Sequence, residues 1–370
     1  MKILITGGAG FIGSHLSDLL MQNHEVVVVD NLNPQIHKND EKLNMKCSKF
    51  ILSDIISVDN YLEDLLSADI IILLASETGT GQSMYEISKY YHTNIMGMAK
   101  LLDSLSSPNR KAKKIILSSS RSVYGEGRYH CQTHGDVFPS SRLWRDMSEG
   151  RFEVTCPVCN ENVEINLTDE ESMLHPSSIY GLTKLNQEQM LTMFCESIKL
   201  PFHIFRFQNV YGPGQSLANP YTGILAVFTN LAKVGKDIKV FEDGLESRDF
   251  VYVSDLVELV KRSVEEDCDF KILNIGTGEG QSVFKVAGEI NTFFGGQSKI
   301  LVTGSFRMGD IRHNISDNSN LYKIFGKIDW VEFSPGIEKF LIWSEFQEIP
   351  DDNYEKSISE MKTRGLLYEQ

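Results

Sequence analysis

The chain opens on a short apolar run, Ile3-Leu4-Ile5, that stops at Thr6, and Gly7, Gly8 and Gly10 follow at once. Gly13 then begins a stretch whose apolar positions Leu16, Leu19 and Leu20 predict a helix. Val26–Val29 is a second unbroken apolar run, and it ends in Asp30. Unbroken rather than alternating apolar runs belong to strands covered on both faces, as in parallel sheets. The pattern continues with strands at Lys49–Leu52, Asp69–Leu74 and Lys113–Leu117, and helices at Val58–Leu66 and Met84–Leu105. A helix over Ser177–Ile198 and a strand over Phe202–Phe207 extend it. This predicts an α/β fold: a Rossmann-type, doubly wound parallel sheet that binds ligands outside the carboxyl ends of its strands.

From Asn209 the chain is turn-rich (Gly212-Pro213-Gly214), and strict alternation ends. Helices at Thr222–Val234, Ser254–Glu265, Val283–Phe294 and Pro335–Ser344, with short strands such as Ile272–Ile275, predict a smaller C-terminal α/β lobe over the ligand. The division is then 1–208 for the dinucleotide domain and 209–347 for the substrate lobe, with some chain crossing between them. The polar residues 348–370 read as a loosely held tail. Residues 128–169 interrupt the first domain as a polar insert.

The glycines at the first strand tip have a mechanical reading. Gly7 permits the tight turn, Gly10 admits a pyrophosphate to the backbone, and Gly13 lets helix pack on strand. The pyrophosphate then meets the helix N-terminus. Asp30, about 20 residues on, suits the adenosine ribose hydroxyls and repels a 2′-phosphate, so the expected cofactor is NAD rather than NADP. The tips Gly7–Gly13, Asp30-Asn31, Leu74–Ser76 and Ser118–Ser120 should face it; Asp54 lies beside the adenine or caps its own strand. The expected cofactor contacts are thus Gly7, Gly10, Phe11, Ile12, Gly13, Asp30, Asn31, Asp54, Ile55, Leu74, Ala75, Ser76, Asn94 and Ser118, with Tyr180 and Lys184 shared with the chemistry.

In the insert, Cys131 and His134 form one close pair and Cys156 and Cys159 another, the spacing of a structural zinc site with four ligands and no open position. Cys47, Cys195 and Cys268 stand alone and read as small apolar groups. Six cysteines in 370 residues are not a disulfide framework. A net charge of −14 speaks against a nucleic-acid or anionic-membrane partner. No apolar run approaches the ~20 residues of a membrane helix. With no signal peptide, the expected compartment is the cytoplasm.

Tyr180 and Lys184 stand four apart on one helix face. A phenol with a pKa near ~10 is a poor base at neutral pH. A neighbouring ammonium and an oxidised nicotinamide would bring it down. Ser120, at a strand tip, can share the same substrate hydroxyl.

GGAGFIG (Gly7–Gly13), Asp30, LSSSRSVYG (Leu117–Gly125), YGLTK (Tyr180–Lys184) and RDFVYVSDL (Arg248–Leu256) together resemble the extended short-chain dehydrogenase/reductase family of nucleotide-sugar enzymes. Thr78–Glu86, Arg206–Ala226 and Phe241–Val253 are most similar to its dTDP-6-deoxyhexose 4-epimerases, such as those of dTDP-L-rhamnose, which carry a comparable Cys-rich insert. The resemblance implies Tyr180 as base, Lys184 as its partner and ribose ligand, and Ser120 as the hydroxyl-binding serine. It also implies that Asn209, Arg248 and Arg307 grip the diphosphate, with Arg312 either joining them or forming a surface ion pair. Thr80 and Tyr221 line the sugar pocket or merely pack; Arg121 touches a sugar hydroxyl or makes an ion pair. A 4,6-dehydratase would carry Asp-Glu where this chain has Arg121-Ser122, so water elimination is disfavoured. The expected activity is C4 epimerisation of a nucleotide sugar with recycled NAD. The rivals are a 4-keto-sugar reductase, a UDP-sugar or uronate epimerase, and a non-catalytic NAD-binding scaffold. Relatives dimerise through the two long helices, although burial within one chain explains those apolar faces as well.

Overall fold

The computed structural model describes residues 1–37, 45–219, 221, 223–348 and 353–369. The first nine strands are β1 (Lys2–Thr6), β2 (Glu25–Asp30), β3 (Lys49–Leu52), β4 (Ile70–Leu73), β5 (Lys114–Ser120), β6 (Tyr129–Cys131), β7 (Gly135–Val137), β8 (Glu164–Ile165) and β9 (Phe202–Phe207). Seven strands form the main sheet in the order Ile272–Ile275, β9, β5, β4, β1, β2, β3. All of its pairings are parallel. The order reverses at β1, so the crevice between β1 and β4 is the topological switch point where such sheets bind ligands. The Rossmann-type reading is correct, and the unbroken apolar runs are the reason: Ile3, Leu4, Ile5 and Val26–Val28 are fully buried.

One face of the sheet is covered by Leu16 and Leu20 of the first helix (Phe11–Leu20) and by Leu256 and Val260 of the helix Val253–Glu265. The other is covered by Leu101, Leu105, Leu191 and Cys195. Residues 253–275, in the range read as the lobe, thus return to the main sheet. The smaller lobe has its own core of Tyr211, Phe250, Phe333 and Phe340, beneath a sheet of Asn209–Tyr211, Ser247–Tyr252 and Gly280–Ser282.

Three elements differ from expectation. Ser118–Ser120 continue β5 rather than follow it, because they stay in register with Phe205–Phe207. The expected helix Met84–Leu105 begins at Ile87 and is π-helical over Tyr91–Gly97 before Met98–Leu105 resumes α geometry. Within the stretch 348–370, expected as a loose tail, the described residues 353–369 dock on the fold, while 349–352 and 370 lie outside the described residues. Asn353–Thr363 is a helix, and Leu367–Tyr368 pairs antiparallel with Phe306–Arg307. Met361, Leu367 and Ser357 are buried by this docking, a pattern too sparse to stand out in a polar stretch. Of the three isolated cysteines only Cys195 is buried; Cys47 and Cys268 are half-buried.

The insert builds a small sheet in the order β7-β6-β8. It is fastened to the rest by ion pairs, those of Arg142 buried on both sides. Arg142 bonds Glu126 at 3.1 Å and Glu242 at 2.8 Å. Glu153 pairs with Arg312, which also holds Glu242 and Asp243.

Candidate active site

A cleft of about 520 Å³ opens along the carboxyl ends of β1, β2, β4, β5 and β9. Gly7 has φ +71°, and a Cβ there would meet the Ala75 amide nitrogen at 2.6 Å. A Cβ on Gly13 would strike the Gly7 carbonyl oxygen at 2.3 Å. Gly10, by contrast, has only that oxygen nearby, at 3.3 Å, so its backbone stays approachable from the cleft. Gly10 caps the first helix in extended geometry with no side-chain bond. The unpaired N–H groups of that first turn are a ready anion site. The Asp30 carboxylate accepts from Ala9 N at 3.0 Å and from Leu32 N at 2.9 Å, which fixes it at the tip of β2 while each oxygen keeps a lone pair for a ribose hydroxyl. This cradle fits a dinucleotide.

Most expected cofactor residues do line the cleft: Gly7, Gly10, Phe11, Ile12, Gly13, Asp30, Asn31, Ile55, Leu74, Ala75, Ser76 and Ser118. Two do not. Asp54 accepts from Asn31 Nδ2 at 2.9 Å and from Ile56 N at 3.0 Å, so it shapes its own turn. Asn94, fully buried, accepts from Ser76 Oγ and Glu77 N and donates to Thr183 Oγ1 at 3.0 Å. It braces the loop after β4 against the helix Ile179–Ile198 rather than reaching the cleft.

That helix starts where the chemistry is expected. The Ser178 Oγ caps it by accepting from Gly181 N at 3.1 Å, and Tyr180 N donates to Ser83 Oγ at 3.0 Å. Tyr180, Lys184 and Ser120 share the cleft. Lys184 Nζ donates to the Ser118 carbonyl at 2.9 Å, and burial draws its pKa down to about 7, against the pull of Glu188 one turn on. Burial pushes the Tyr180 phenol up; a hydrogen bond with Ser120 and the charge of Arg121 oppose it. The Lys184 ammonium, four residues on along the same helix, bonds the Ser118 carbonyl, while Arg121 lies in the turn directly after Ser120.

At the other end Thr80, Arg121, Asn209, Tyr221, Arg248 and Arg307 all line the cleft. Arg248 Nη1 is steadied by the carbonyls of Ser247 and Arg312. Arg307 Nε donates to Asp310 at 2.9 Å, and its guanidinium lies 5.3 Å over the Phe241 ring. Asn209 Nδ2 donates to the Asp249 carbonyl at 3.2 Å. The side chain of Arg312 joins neither the cleft nor the surface; it is fully buried in the ionic network with Glu242, Asp243 and Glu153.

Sequence reasoning missed Gln208 and Gln215, which also line the cleft and whose Oε1 atoms are buried without a partner among the described residues. Their only cue was proximity to the Gly212-Pro213-Gly214 turn. It also missed Glu360 of the C-terminal helix, which accepts from Tyr221 OH at 2.8 Å and Tyr85 OH at 3.2 Å. In the insert, Cys131, His134, Cys156 and Cys159 bring their ligand atoms within 4.8 Å of one another.

The family described as "NAD dependent epimerase/dehydratase family" matches residues 3–142 and 154–276. The dTDP-L-rhamnose 4-epimerase of Burkholderia thailandensis is 36% identical over 92% of this chain and 94% of its own. The structure of UDP-glucose 4-epimerase from Thermotoga maritima, solved with UDP-glucose, superposes with a TM-score of 0.75 at 28% identity, covering 93% of this chain and 99% of that one. UDP-glucuronic acid 4-epimerase from Bacillus cereus, solved with UDP-glucuronic acid and NAD, shares the fold with a TM-score of 0.75 at 24% identity, covering 93% of this chain and 99% of that one. With its glycine cradle, its switch-point cleft and a match spanning both, the chain belongs to the NAD-dependent epimerase/dehydratase family of enzymes.

Proposed function

We propose that this protein is a nucleotide-sugar 4-epimerase that oxidises C4 transiently with bound NAD, acting on a dTDP-6-deoxyhexose such as dTDP-L-rhamnose. The observation that carries the reading is one cleft lined by the glycine cradle, by Ser120 and Tyr180, and by Arg248 and Arg307. NAD, when bound, takes up the C4 hydride and returns it. Tyr180 removes the proton of the C4 hydroxyl and later restores it, and Ser120 orients that hydroxyl. Lys184 holds the cofactor's ribose beside the phenol. Asn209, Arg248 and Arg307 hold the diphosphate while the 4-keto sugar turns over, so binding energy remote from C4 serves the reaction. Arg121-Ser122 supplies no acid pair for eliminating water. The 36%-identical relative supports the deoxyhexose substrate.

The test is to incubate purified protein with dTDP-, UDP- and GDP-sugars without added cofactor and follow interconversion by NMR. Epimerisation of dTDP-L-rhamnose is expected; a requirement for added NADH would instead mark a reductase. Tyr180→Phe should retain NAD and lose nearly all turnover.

The insert would hold a structural zinc through Cys131, His134, Cys156 and Cys159. Zn–S bonds of about 2.3 Å imply tetrahedral edges of roughly 3.8 Å. Cys131 Sγ lies 3.7 Å from Cys159 Sγ, and His134 Nδ1 lies 3.6 Å from both Cys131 and Cys156. Elemental analysis should find one zinc per chain, lost in Cys156→Ser. A homodimer through the helices around Tyr91–Gly97 and Ile179–Ile198 would cover the exposed Met96 and Met193. Sedimentation equilibrium should give twice the chain mass.

A further inference from the structure

Arg121 stands in the wall of the cleft and makes no ion pair among the described residues. It directly follows Ser120 and begins a short 3-10 turn, Arg121–Val123. That turn is pressed against the start of the Tyr180 helix: a Cβ on Gly181 would lie 2.6 Å from the Ser122 carbonyl oxygen. Backbone packing therefore sets the turn that carries Arg121 against the start of the Tyr180 helix, and both side chains line the same cleft. Arg121 Nη1 is buried and has no hydrogen-bond partner among the described residues.

The charged groups around this pair are committed elsewhere. Asp249 accepts from Thr277, Gly278 and Ser316. Asp310 serves Arg307, and Glu126 serves Arg142 and the Arg312 amide. Across the cleft, Glu77 pairs with Lys89 and accepts from Asn33. Tyr90 donates to the carbonyls of Thr78 and Gly79. On the Tyr180 helix, Lys184 donates to the Ser118 carbonyl and Glu188 pairs with Arg206. Arg248 adds a like charge, and burial with that neighbour draws Arg121 down to about 9, which leaves it charged at neutral pH. Arg121 is half-buried, and a charge partly withdrawn from water without a counterion carries part of the cost of an unpaired buried ion. A phenolate at residue 180 would relieve that cost.

We infer that Arg121 is the positioning residue that holds Tyr180 as the phenolate, with Ser120 as its hydrogen-bonding neighbour. The inference rests on Tyr180 being the base of the proposed epimerase. No bond forms or breaks in this step: the phenol proton leaves to solvent before the sugar binds, and the guanidinium stays protonated throughout.

The test is an ultraviolet tyrosinate titration of the NAD-loaded protein, taken as the difference from Tyr180→Phe. The midpoint should rise by about 1 to 2 pH units in Arg121→Met and return most of the way in Arg121→Lys. The acid limb of the kcat/KM profile should move with it. NAD content and melting temperature identify any variant that fails to fold, and Arg121→Lys then carries the comparison alone. An unchanged midpoint in Arg121→Met overturns the inference, above all if KM alone rises, because Arg121 would then grip substrate. Failure to turn over any nucleotide sugar would sink the epimerase reading, but the titration would still decide the role of Arg121.

Discussion

Beneath the cleft lies a buried ion pair whose loss should be felt throughout the molecule. Arg206 and Glu188 are 2% and 4% exposed, joined by two bonds of 3.0 and 2.8 Å. Arg206 Nη1 also donates to Tyr124 OH at 2.8 Å, and Ser119 Oγ donates to Glu188. Arg206→Met keeps much of the apolar stem but leaves Glu188 as an uncompensated charge. Breaking such a pair costs about 3–5 kcal/mol, more than the pair itself contributes over an apolar replacement. At about 2.1 cal/mol/K per residue, the 370-residue chain has an unfolding entropy of roughly 0.8 kcal/mol/K, so Tm falls by about 4–6 °C. Urea unfolding followed by tryptophan fluorescence measures the same difference as a lower midpoint. Adding Glu188→Gln, which preserves an acceptor for Ser119, should recover more than half of the loss. A loss below about 1 kcal/mol in Arg206→Met, or no recovery in the double variant, would refute the claim that an orphaned charge is the cause.

His203 is buried, stacked on Phe270 at 4.0 Å, and burial lowers its pKa to about 4. From about 6.5 down to about 4 the unfolded chain binds a proton that the folded ring refuses, so stability falls with pH across that window, by roughly 3 kcal/mol in all. Urea midpoints at pH 5 and 7 should differ in the native chain and converge in His203→Phe. Gly13→Ala forces a Cβ to 2.3 Å from the Gly7 carbonyl oxygen, where only backbone could give way. NAD extracted from the purified variant should fall at least about tenfold, a loss of about 1.4 kcal/mol in affinity. Glu360→Ala frees Tyr221 and Tyr85. KM for the nucleotide sugar should rise by about threefold or more with kcat nearly unchanged, the signature of lost ground-state positioning.

The main sheet and the glycine cradle were legible because their signals are local. An apolar run covered on two faces reads the same in any context, and the Gly7, Gly10 and Gly13 spacing reflects backbone contacts within a few residues. The Cys131, His134, Cys156 and Cys159 cluster was legible for a related reason: ligand spacing is written directly in the chain. Asn94 was misplaced because a buried asparagine on a long helix has the same sequence signature whether it meets a cofactor or a backbone loop. Arg312 was misjudged because its partners Glu153, Glu242 and Asp243 come from two distant segments.

The sequence by itself determined the fold class, the cofactor turn and the candidates for proton transfer, since each depends on periodicity, spacing or short-range steric demands. Only the tertiary structure decided how those residues are used. It turned the Lys184 ammonium toward the Ser118 carbonyl and packed the turn that begins at Arg121 against the start of the Tyr180 helix, through the close contact of Gly181 with Ser122. It also docked the polar C-terminus onto Tyr221 and Arg307. These outcomes depend on which of several polar partners lies nearest in space, and residues hundreds of positions apart carry no mark of that in their order along the chain.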